Sequence, residues 1–99
     1  MSLCFNTLGV AQYRVGQYEE SLKALTRSDE LNTKQFGQSL PGDVAFLAMV
    51  EHQLGHPDRA TALLDRLREI MKQPQWANDP ESQAFLHEAE SLITTPAKE

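Results

Sequence analysis

Apolar positions along this chain recur at three- and four-residue intervals, the spacing of a helix face rather than of a strand. Leu3, Cys4, Leu8 and Ala11, flanked by Phe5 and Val10, predict a first helix over residues 2–14. Val15-Gly16-Gln17 interrupts the pattern as a turn, with Gly16 free to take a positive φ. Leu22, Leu25 and Leu31 form the stripe of a second helix over 18–35, with Glu19 and Glu20 at its electropositive start. Phe36-Gly37 and Pro41-Gly42 read as breakers. Asp43 reads as the N-cap of a third helix over 44–54, mostly buried through Val44, Leu47, Ala48, Met49 and Val50. Gly55 turns the chain again, and Pro57 suits the first turn of a fourth helix. Ala60, Leu63, Leu64, Leu67, Ile70 and Met71 give that helix the cleanest periodicity, and Pro74 closes it. Gln73–Asn78 reads as a linker whose Trp76 pins it to the core. Asp79-Pro80-Glu81 is a strong helix start. The fifth helix, over 80–93, carries Phe85, Leu86, Ala89, Leu92 and Ile93 on one side, with Glu81, Glu88 and Glu90 off that stripe. Thr94 onward reads as a frayed tail.

The two glycine turns mark an internal repeat. Gly16 and Gly55 stand 39 residues apart, and the pairs Leu8/Leu47, Gly9/Ala48, Ser21/Ala60 and Leu25/Leu64 share that offset. Gly9 inside a helix costs up to ~1 kcal/mol relative to Ala, which is tolerated where a second helix must approach closely. Gly9 and Ser21 are the expected crossing point of the first pair.

These residues resemble the tetratricopeptide repeat: an aromatic, Leu-Gly after two intervening residues, a tyrosine, a small residue, a bulky apolar residue and a closing proline. Phe5 stands in the aromatic place, Leu8-Gly9 matches outright, and Gly16, Tyr18 and Leu25 fall in line. Gln12 holds the tyrosine place with Tyr13 one later, Ser21 replaces the small alanine, and Thr33 the proline. In the second copy Val44 and Glu51 hold the aromatic places, while Gly55 and Ala60 are intact. The likeness covers roughly residues 3–72. It implies an all-α fold of antiparallel helix hairpins stacked as a short right-handed solenoid: two repeats plus a C-terminal capping helix, five helices in all. As a single domain over 1–99, the parts would be repeat one at 3–36, linker 37–42, repeat two at 43–73, linker 74–79, cap 80–94 and tail 95–99. Asn6 to Ala11, with Phe46 to Met49 and His52 to His56, is also similar to repeat arrays at the ends of large bacterial proteins. Such proteins carry Ser/Thr kinase or WD-type domains, which implies a fragment of a longer chain.

Composition narrows the partners. Lys and Arg total 9 against 14 Asp and Glu, a formal net charge of −5, and an acidic chain repels phosphate backbones. Nucleic acid is therefore not expected. No apolar run approaches the ~20 residues of a membrane span, so no membrane is expected either. The start, Met1-Ser2-Leu3-Cys4, lacks the features of a signal peptide. The single cysteine, Cys4, fits a reducing, cytoplasmic compartment and reads as a small apolar helix residue.

Candidate chemistry is sparse. His52 and His56 stand four apart, but Gly55 and Pro57 interrupt the helix, and no further ligand completes a metal set. His87-Glu88, Glu19-Glu20 and Asp29-Glu30 read as solvated charges. No phosphate loop or nucleophile elbow is present. No enzyme and no cofactor are expected. The resemblance instead implies a concave groove, lined by the first helix of each pair, that binds a peptide or partner helix. By position the lining would be Asn6, Val10, Tyr13 and Arg14, then Met49, His52 and Gln53; the plain alternatives are that Val10 and Met49 are core and that Arg14 simply sits near the C-terminal end of its helix, where cations are favoured. Lysines that clamp a C-terminal carboxylate in some members are missing from these positions. The first helix has no cap, so an apolar flank at Leu3, Cys4 and Val10 is expected to drive self-association. An architectural segment with no groove ligand is the competing reading.

Overall fold

The central helix is the one that is apolar on nearly every side. The computed structural model describes residues 5–94. Six helices run in order: α1 (Phe5–Arg14), α2 (Tyr18–Phe36), α3 (Pro41–Gln53), α4 (Pro57–Met71), α5 (Pro74–Ala77) and α6 (Pro80–Thr94), with no strand among the described residues. In α3 every residue from Asp43 to Glu51 is buried. A helix apolar all round must be enclosed, and α3 packs against α1, α2, α4 and α6. Phe46, Met49, Leu25, Leu64 and Leu67 form the deepest layer. Each such side chain contributes on the order of 1.5–3 kcal/mol by leaving water.

The two hairpins end in the same way. In the first turn, Gly16 N–H donates to Tyr13 O (3.1 Å) and Gln17 N–H to Gln12 O (2.8 Å). In the second, Gly55 N–H donates to His52 O (3.1 Å) and His56 N–H to Glu51 O (2.9 Å). Both glycines are left-handed, at φ 84° and 85°. This is the glycine C-cap, in which the residue after the helix reverses the chain and satisfies its last carbonyls. Turns this short set the paired helices antiparallel.

Small residues sit where the hairpins close. Ser21 is fully buried and its hydroxyl donates to Gly9 O at 2.6 Å. A Cβ on Gly9 would stand 2.5 Å from Leu25 Cγ. Ala48 and Ala60 are likewise fully buried. Between the elements, α3 lies on α1 and α2, and α6 lies on α3 and α4.

Four expectations need correction. There are six helices, not five, because Pro74–Ala77 forms a single helical turn within the expected linker. Trp76 in that turn packs on the core as expected. The third helix begins at Pro41, with Leu40 in the N-cap position, so Asp43 lies inside the first turn and is 1% exposed. Leu31 is 41% exposed and leaves the apolar stripe of α2. The acids of α6 are not simply solvated. Glu88 pairs with Arg14 and Glu90 with Arg68, tying α6 to α1 and α4.

Candidate functional site

The residues expected to line a groove do not form one continuous open surface. Met49 is fully buried beside Phe46, so it belongs to the core. Val10 is half-buried against the same core. Tyr13 packs its ring edge-on to Phe46 (centroids 5.7 Å) and tilted to Tyr18 (5.6 Å). Burial pushes the Tyr13 phenol above its usual 10.0, against a smaller opposing pull from a Gln53 hydrogen bond. Arg14 reaches across to α6, donating to both Glu88 oxygens at 2.5 and 3.1 Å. Its guanidinium carbon stands 5.2 Å from the Phe46 ring centroid. Phe46 in turn meets Phe85 edge-on at 5.3 Å. The middle of the α1–α3–α6 face is therefore spanned by a strap. His52 is half-buried and Gln53 exposed. His56 Nδ1 lies 2.7 Å from the buried Glu51 carboxylate. Leu3 and Cys4 lie outside the described residues.

Of the expected groove residues, Asn6 borders an open cleft. A cleft of about 300 Å³ lies where the starts of α1, α3 and α6 converge, with Asn32, Trp76 and Phe85 among its walls. Asp43 forms its most deeply buried part and collects three side-chain donors. Asn6 Nδ2 and Ser28 Oγ donate to Oδ1 at 2.7 and 2.8 Å, and Asn32 Nδ2 donates to Oδ2 at 2.7 Å. These bonds join α1, α2 and α3 through one carboxylate. A Cβ on Gly42 would stand in ordinary contact with two of the walls, 3.4 Å from Phe85 Cε2 and 3.5 Å from Asn6 Nδ2.

The opposite rim carries Asp79 and Glu81. Asp79 caps α6, accepting from the Ser82 hydroxyl at 2.5 Å and the Ser82 backbone N–H at 3.0 Å. Those two bonds, hydroxyl first, hold the Asp79 carboxyl below its usual 3.8. Among the described residues no Lys, Arg or His pairs with Asp43, Asp79 or Glu81, and no group of three or more His, Cys, Asp and Glu could hold a metal ion.

The sequence held a signal for this cleft. Pro41-Gly42-Asp43 and Asp79-Pro80-Glu81 both lie at helix starts, and the fold brings those starts together at one cleft. Set against family models, curated proteins and solved structures, the chain matches none of them. What the coordinates define is an all-α protein with an acidic, aromatic-walled cleft at one end of three helices.

Proposed function

We propose that this chain is a non-catalytic protein–protein interaction module, a short solenoid of the tetratricopeptide type that binds a peptide or partner helix. The observation that carries this reading is the recurrence of one turn. Four backbone hydrogen bonds around Gly16 reappear around Gly55 at the same offset, and each hairpin is covered by a later helix, the first by α3 and the second by α6. Stacked hairpins present their first helices on a shared face, the surface on which such scaffolds hold extended ligands. Here α1, α3 and α6 share it, and the end beyond the Arg14–Glu88 strap is open.

Selection from a random displayed peptide library, followed by amide-shift mapping of the selected peptides, tests this. Shifts should cluster on α1, α3 and the first half of α6. Failure to select any peptide, or a footprint on the outer faces of α2 and α4, overturns the reading.

One observation favours a second reading, an architectural segment that self-associates. Leu31 and Phe36 expose 41% and 57% of their surface along α2. These two side chains, with Val15 at 70%, are the exposed large apolar ones among the described residues, and copies could meet there rather than at Val10 on α1.

A further inference from the structure

We propose that the cleft at the starts of α1, α3 and α6 receives one cationic side chain, lysine or arginine, of a bound peptide. The inference rests on the interaction-module reading and names the ligand chemistry of its open end.

Charge gives the first argument. Asp43 lies at the base, and Asp79 and Glu81 at the rim, with no basic partner among the described residues. Several acids outside the cleft do have one: Glu51 has His56, Glu88 has Arg14 and Glu90 has Arg68. The helix starts bring positive potential to the same place, but each is worth only about half a charge against a full charge per carboxylate. The cleft therefore stays negative. Nor does the start of α6 leave a site for an anion. Asp79 already accepts the Ser82 N–H at the start of α6, which is the donor a bound phosphate or carboxylate would need.

Shape and wall chemistry give the second. Trp76 and Phe85 line the cleft, and aromatic faces attract ammonium and guanidinium groups, more strongly where water is excluded. A volume of about 300 Å³ sits at the small end of ligand pockets, sized for one side chain rather than a folded surface. The carboxylates are too dispersed to ligate a bare metal ion. An extended organic cation can lie between them.

The third concerns the source of the cation. Trp76 Nε1 is buried without a protein partner. A peptide residue brings a backbone carbonyl that can accept from it once the Trp76 ring turns toward the cleft, whereas a free amine brings none.

The test is a titration followed by amide and indole N–H shifts. The probes are Nα-acetyl-lysine methylamide, its arginine, norleucine and glutamate counterparts, and butylamine. The lysine and arginine probes should move Gly42, Asp43 and the Trp76 indole, with dissociation constants of about 1–10 mM. Added salt should weaken them. Glu81→Gln and Asp79→Ser, the latter keeping a capping hydroxyl, should together weaken binding by roughly tenfold. Equal response to norleucine would make the cleft merely apolar, and binding of the glutamate probe would reverse its sign. Butylamine binding as tightly as the lysine probe would remove the peptide from the proposal. No response from the cleft overturns it outright. If selected peptides still map to the α1–α3–α6 face in that case, this inference fails while the module reading stands.

Discussion

Gly9 shows how one missing methyl group can set a fold. Replacing it with alanine adds helix propensity worth up to ~1 kcal/mol. The new Cβ, however, would stand 2.5 Å from Leu25 Cγ and 3.3 Å from the Leu25 backbone nitrogen. Leu25 is fully buried and has nowhere to move. Overpacking of this kind costs about 1–3 kcal/mol, so urea unfolding of Gly9→Ala should show a net loss of stability. Tyr13 offers a second check. Burial raises its pKa, so the folded state keeps the neutral phenol longer than the unfolded chain does. The associated stability is complete below the unfolded value and is lost as pH rises through the folded one. With two tyrosines in the chain, Tyr18→Phe leaves Tyr13 as the sole reporter. Its ultraviolet titration midpoint should lie above 10.0. The small residues at the crossings were legible because a repeat offset singled them out. Asp43 was not. Its three donors come from positions 6, 28 and 32, and no local pattern announces bonds that form only when three helices meet.

The helices α1 to α4 and α6 were readable because each runs long enough for its apolar face to recur. The single turn Pro74–Ala77 is too short to show any period, so α5 was missed. The start of α3 was misplaced because an acid ahead of an apolar run resembles a cap, whereas Pro41 already occupies the first turn. Position alone put Met49 in a groove, and sequence periodicity cannot assign a face to a helix that is apolar all round. For α6, the two kinds of contact differ in weight. Phe85 meets Phe46 and the edge of Gly42. Phe85→Asp forces a charge against that surface and should undock α6, lowering the thermal midpoint by more than 5 °C, about what a 1 kcal/mol loss brings in a domain of this size. The Arg14–Glu88 pair is half in water, at 51% and 37% exposure. Glu88→Gln should therefore cost less than ~1 kcal/mol. A Phe85→Asp protein that melts like the parent would show that α6 is not docked.

At the scale of the molecule, the chain combines a repeated packing plan with a shared interior. Its radius of gyration is 12.9 Å, close to the roughly 13 Å of a closed domain of this length. The Arg14–Glu88 strap links α1 to α6, and the four-ring path from Tyr18 through Tyr13 and Phe46 to Phe85 links α2, α1, α3 and α6. Association belongs to this scale too. If Leu31 and Phe36 form a contact between copies, sedimentation velocity of the parent should show mass increasing with concentration. Phe36→Ser should shift that behaviour toward the monomer, and a parent that stays monomeric at high concentration would remove the architectural reading.

The enclosure of α3 bears on how the molecule comes apart. In an extended array, units at the ends can fray while the middle persists. Here residues 41–53 touch α1, α2, α4 and α6, so neither hairpin can peel away without uncovering the same segment. Deuterium uptake should therefore be slowest at the amides of Phe46 to Val50, with protection there equal to the full unfolding free energy. Both halves of the chain should lose their protection in one step.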